Sequence, residues 1–68
     1  MSIEFQNRLK ELRIEKELTQ KQLAEMLQTT DDSIYSWEKG RSQPSIEMLR
    51  KICQYFDVSA DYLLGLSD

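Results

Sequence analysis

The stretch Thr19–Gly40, TQKQLAEMLQTTDDSIYSWEKG, limits the possible fold more than any other part of the chain. It holds two helix starts and a helix stop in close succession, so it predicts two short helices at an angle, joined by a tight turn. Thr19 can cap the first helix by accepting from a free N–H of the first turn. Gln22, three residues on, completes a capping box. Leu23, Ala24 and Leu27 then share one face. The methyl group of Ala24 lets a neighbouring helix approach closely where Leu would hold it away. Gln28-Thr29-Thr30 is the turn, and Thr30 caps the next helix. Asp31 and Asp32 follow in that helix's first turn, where negative charge suits the free N–H groups and the helix dipole. Ile34 and Trp37 form its apolar stripe. Asp32, Tyr35, Ser36 and Lys39 fall at i, i+3, i+4, i+7 on the opposite face. Gly40 stands where a left-handed residue ends a helix at little cost. The second helix is therefore short, capped at both ends, and presents a free polar face with one aromatic ring in it.

The rest of the chain reads as packing that holds this helix out towards a partner. With 68 residues there is room for one domain, spanning 1–68. Such a chain buries only about 60% of its unfolded surface, so its stability is modest. Helix formers dominate and there are only two glycines and one proline, which predicts an all-α fold. Residues 4–17 form a first helix, with Phe5, Leu9, Leu12 and the stem of Lys16 as its core stripe. Its other side is crowded with charge, a pattern that usually marks a solvated face. Residues 41–45 form a loop in which Pro44 stops the preceding helix and Ser45 caps the next. Residues 46–56 make a fourth helix whose buried face is traced by Ile46, Leu49, Ile52, Cys53 and Phe56, with Arg50 and Lys51 facing out. Ser59 caps a short fifth helix ending at Gly65, and Tyr62 and Leu63 close the core. Val58, Leu64 and Leu66 are more apolar surface than a tail of this length needs.

The absences narrow the chemistry. The chain has no histidine and one cysteine, which argues against zinc and iron–sulfur sites and leaves Cys53 as a small core residue. It has no Gly-rich phosphate loop and no nucleophile with a histidine base. Asp31 and Asp32 are adjacent on a helix and point in different directions, so they read as capping residues rather than an acid–base dyad. No catalytic residue, metal or cofactor is expected, and an enzyme is not. No apolar run is long enough to span a membrane and no signal-peptide pattern is present, so the expected location is the cytoplasm.

The Thr19–Gly40 stretch resembles the helix-turn-helix of the phage repressor and Cro superfamily, also called XRE-like regulators. The resemblance rests on Thr19-Gln20, Ala24, Thr29-Thr30, Ser33-Ile34, Trp37-Glu38 and Gly40. It continues through Pro44-Ser45, Leu49, Asp57-Val58-Ser59 and Asp61-Tyr62-Leu63-Leu64-Gly65, and covers roughly residues 5–66. It implies a compact five-helix repressor-like domain with the helix-turn-helix formed by helices 2 and 3. It also implies an ion pair between Arg13 and Glu38 that ties the first helix to the second helix of the motif. Two features differ from the family pattern. Asp31 and Asp32 stand where many relatives carry amides or basic residues, and Gln28 replaces the usual turn glycine, at a cost on the order of 1 kcal/mol if the turn is left-handed.

The function implied is sequence-specific DNA binding by a transcriptional regulator, a repressor of prophage or mobile-element type. Helix 3 would lie in the major groove with Thr30, Asp31, Asp32, Tyr35 and Ser36 facing base edges. Gln20, Lys21, Lys39, Arg41 and Ser42 would contact phosphates. Val58, Leu64 and Leu66 would meet a second copy, giving a homodimer on a near-palindromic double-stranded operator. The net charge of −3 runs against the usual basic footprint of a DNA-binding domain, but binding follows the local field more than the total. Lys21, Lys39 and Arg41 lie in or beside the helix pair, whereas Glu11, Glu15, Glu17, Asp57 and Asp68 lie outside it. A second class stays open: a protein-interaction module, antitoxin-like or anti-repressor-binding, whose acidic helix 3 meets a basic protein partner. So does a place as the DNA-binding part of a longer repressor.

Overall fold

Short-range hydrogen-bonding rules define the starts of the last four helices of this chain and the ends of all five. The computed structural model describes residues 3–67, so Asp68 lies outside the described residues. The helices are α1 (Ile3–Glu15), α2 (Gln20–Leu27), α3 (Asp31–Lys39), α4 (Ile46–Phe56) and α5 (Ala60–Leu63), and the regular structure among the described residues is all helical. Thr19, Thr30, Ser45 and Ser59 are extended residues whose hydroxyls accept from the N–H groups of Gln22, Ser33, Met48 and Tyr62. At Thr19 the capping box is complete, with the Gln22 side chain accepting from the Thr19 N–H at 2.8 Å.

The other ends share one device. Glu17, Gln28, Gly40, Asp57 and Gly65 all have positive φ. After each, an N–H reaches back to a carbonyl five residues earlier: Leu18 to Arg13 at 3.1 Å, Thr29 to Ala24 at 2.9 Å, Arg41 to Ser36 at 2.9 Å, Val58 to Cys53 at 3.0 Å, Leu66 to Asp61 at 2.8 Å. This is the Schellman closure, which satisfies carbonyls the helix would leave bare. It explains why α1 stops at Glu15 rather than running to 17: Glu17, at φ 58°, has already left the right-handed region. Gln28, at φ 61° and ψ 46°, takes the left-handed turn conformation although it is not glycine.

The core comprises Phe5 and Leu9 of α1, Leu23, Ala24 and Leu27 of α2, Ile34 and Trp37 of α3, Ile52 and Phe56 of α4, and Leu63 of α5. Leu12, Leu49, Cys53, Val58 and Leu64 pack against it half-buried. Helix α3 rests on α2 and α1, α4 backs α2, and α5 closes the far side against α1 and α4. Two hydrogen bonds and one aromatic contact tie α1 to residues 62–67: Arg8 donates to the carbonyls of Tyr62 and Ser67, and its guanidinium lies 4.4 Å from the centre of the Tyr62 ring.

Two expectations for α4 are corrected. Ile46 is 80% exposed rather than buried. At 3.6 residues per turn it lies roughly 100° round the helix from Ile52 and Phe56, and it sits in the first turn, where no other helix covers it. Lys51 does not face out. It is half-buried, and its ammonium donates to the Leu27 carbonyl at 2.7 Å.

Candidate nucleic-acid interface

Helix α3 is held from behind by a polar knot and in front carries a free polar face. The knot centres on Glu38, whose side chain is 3% exposed. Its carboxylate accepts from Arg13 Nε at 2.7 Å, from Arg13 Nη2 at 3.1 Å and from Gln20 Nε2 at 3.1 Å. Arg13 meets it with two parallel bonds, the geometry a planar guanidinium favours, and also donates to the Leu18 carbonyl at 2.8 Å. One carboxylate thus links α1, the start of α2 and the last turn of α3. Arg suits the place because Lys, a point charge, cannot make two parallel bonds and reach Leu18 as well.

The opposite face of α3 is open. Thr30, Asp31, Asp32, Tyr35 and Lys39 are exposed, and Ser36 is half-buried. The Thr30 hydroxyl is committed to the cap, accepting from Ser33 N–H at 3.2 Å and lying 3.1 Å from the Ser33 hydroxyl. Tyr35 is 39% exposed, with two cations over its ring: Lys39 Nζ at 5.7 Å and the Arg41 guanidinium carbon at 5.5 Å from the centroid. Both separations are within cation–π reach. The face therefore brings an aromatic ring and two cations together, with two carboxylates one turn nearer the helix N-terminus.

The remaining site candidates fall as follows. Lys21 and Ser42 are exposed. Gln20 is half-buried and spends one amide N–H on Glu38, which leaves a second N–H and the helix start beside it. Val58 and Leu64 are half-buried against the core, whereas Leu66 is 73% exposed. Sequence reasoning missed Lys51 and the anchoring role of Arg8. Neither carries a local signal, because their partners lie far along the chain. Among the described residues, no three His, Cys, Asp or Glu side chains gather where they could share a metal ion, and no helix is long and apolar enough to cross a membrane.

Comparison with known proteins agrees with this geometry. A family model described as a helix-turn-helix domain matches residues 7–68. The HTH-type transcriptional activator BcrR of Enterococcus faecalis is 44% identical over 63 residues, covering 93% of this chain and 31% of that protein. The HTH-type transcriptional regulator ImmR of Bacillus subtilis is 38% identical over 58 residues, covering 85% of this chain and 46% of that protein. The cryptic phage CTXphi transcriptional repressor RstR of Vibrio cholerae is 25% identical over 64 residues, covering 94% and 58%. The chain spans between about a third and somewhat over half the length of these relatives. The polar knot behind α3, the capped turn before it and these matches lead to one conclusion: the chain belongs to the helix-turn-helix family of phage-repressor and Cro-like, or XRE-type, domains.

Proposed function

We propose that this chain is the DNA-binding part of a sequence-specific transcriptional regulator, a repressor of prophage or mobile-element type, acting in the cytoplasm. The observation that carries the reading is the exposed face of α3, where Lys39 and Arg41 both approach the Tyr35 ring on a helix anchored from behind by Glu38. Such a helix is rigid enough to read base edges and has cations placed to meet the flanking phosphates.

In this reading α3 enters the major groove. Asp31 and Asp32 accept from the exocyclic amino group of cytosine. Thr30, Tyr35 and Ser36 complete the base-facing set, with the Tyr35 ring against a thymine methyl or its hydroxyl donating to a base. Lys21, Lys39, Arg41 and Ser42 hold phosphates, and Gln20 adds its second amide N–H at the start of α2. Two copies meeting through Val58, Leu64 and Leu66 would set their α3 helices about 34 Å apart, one turn of DNA, on a near-palindromic operator.

The test is selection from a random duplex library followed by fluorescence anisotropy at roughly 50 and 200 mM salt, the slope giving the number of phosphate contacts. A selected palindrome, bound less tightly at the higher salt and lost on Tyr35→Ala or Arg41→Ala, supports the reading. A second reading is favoured by one observation, the exposure of Asp31 and Asp32 on a chain of net charge −3. It makes α3 a docking helix for a basic protein. That reading expects no enriched duplex, tolerance of Arg41→Ala, and a response to Asp31→Asn.

A further inference from the structure

We propose that Lys51 is a positioning residue for base reading: from α4 it fixes the turn that sets the angle of α3. The inference rests on the DNA-reading function proposed above. Three observations carry it. Lys51 Nζ donates to the Leu27 carbonyl at 2.7 Å and lies 3.3 Å from Gln28 Oε1. Gln28 occupies the left-handed position of the turn between α2 and α3. The Schellman closure there uses the Ala24 and Glu25 carbonyls, so the Leu27 carbonyl at the very end of α2 has no partner in its own helix.

A cation at that carbonyl acts in two ways. It satisfies an orphan acceptor and it opposes the negative end of the α2 dipole. The same ammonium holds the Gln28 side chain, which a glycine at this position would lack. The side chain that makes the left-handed turn costly thus becomes a second attachment point for the residue that pins it. Leu27 is in the core, and Thr30, three residues on, caps α3. Whatever moves the backbone at 27–28 therefore moves the start of α3 and its base-facing residues. Lys51 is set 24 positions away from Leu27 and lies on another helix, so it couples the turn to α4 rather than to its own neighbours. Two of the three donors of its ammonium are used within the protein, which assigns Lys51 to the turn and to α3 rather than to a phosphate.

The experiment compares wild type, Lys51→Met and Lys51→Arg, using the selected operator duplex and a scrambled duplex of the same length. Fluorescence anisotropy is read at a temperature where circular dichroism shows each variant folded. Methionine keeps the stem length and removes the cation; arginine keeps the cation. For Lys51→Met the preference for operator over scrambled duplex should fall roughly tenfold, the low end of what one charge-assisted hydrogen bond contributes. Scrambled-duplex affinity and the salt slope should stay at wild-type values, and Lys51→Arg should restore the preference. In the absence of DNA, the Ser33 and Ile34 amides at the start of α3 should exchange faster in Lys51→Met while α1 amides do not. An unchanged preference with unchanged exchange in Lys51→Met overturns the positioning role and leaves the DNA-reading function standing. Equal loss on both duplexes makes Lys51 a phosphate contact and also overturns it. A wild-type chain that prefers no duplex overturns both.

Discussion

Removing the Glu38 carboxylate should be among the most damaging single changes this domain can suffer. Glu38→Ala leaves the Arg13 guanidinium, in a side chain only 12% exposed, with the Leu18 carbonyl as its one remaining acceptor, and it also strips Gln20 of its acceptor. Breaking one half of a buried ion pair costs about 3–5 kcal/mol. A domain of this size has total stability of roughly 3–10 kcal/mol, at about 0.05–0.15 kcal/mol per residue. The loss is thus a large fraction of the whole. Arg13→Ala should cost at least as much, because it leaves the more deeply buried carboxylate with Gln20 alone. The double variant Arg13→Met/Glu38→Met should behave differently. It removes both charges and fills the space with apolar atoms, so its cost should be well below the sum of the singles. Trp37, the only tryptophan, is buried beside Glu38 in sequence and reports unfolding by its fluorescence. Urea titration at about 1 kcal/mol per M would show the single variants with midpoints lowered by roughly 3 M or unfolded without denaturant. Single losses below about 1 kcal/mol, or a double loss equal to the sum, would refute the view that this pair is a desolvated, mutually dependent unit.

Other expectations follow from burial. Ile46→Ser, at an 80% exposed site, should leave the urea midpoint nearly unchanged, whereas Ile52→Ala, fully buried on the same helix, should cost about 2–5 kcal/mol. Burial pushes the Cys53 thiol above its ordinary pKa, so a thiol reagent at neutral pH should modify the folded chain more slowly than the urea-unfolded one. The linked stability runs one way. A thiol whose folded pKa is raised contributes fully below the unfolded value and loses that contribution as pH rises past about 9. Cys53→Ala should therefore flatten the alkaline limb of the stability profile, and an unchanged limb would contradict the assignment.

Local rules make most of the fold legible in the chain. A capping hydroxyl and the N–H it accepts from are three residues apart, so Thr19, Thr30, Ser45 and Ser59 are readable as helix starts without any tertiary knowledge. The burial of Leu23, Ala24, Leu27, Ile34 and Trp37 follows from helical spacing. The exposed face of α3 is legible for the same reason, since a stripe that is buried defines the side that is not. The Arg13–Glu38 pairing was legible only through resemblance to a family, because nothing local relates two residues 25 positions apart.

The structure decided what depends on how the helices lie against one another. Ile46 lies at the margin of the stripe that Ile52 and Phe56 define, and whether a first-turn residue there is covered depends on how the neighbouring helices lie; at 80% exposure it is not. Lys51 could not be told from Arg50 as an outward cation until α4 was set against the end of α2. Gln20 gives an amide N–H to Glu38 because packing brings the start of α2 to the last turn of α3. Arg8 finds the Tyr62 carbonyl because α5 folds back on α1. Helix capping and helical periodicity act over a few residues and are written locally in the sequence. Burial, ion pairing and the capping of one helix by another depend on distances between elements, and only the packed core sets those.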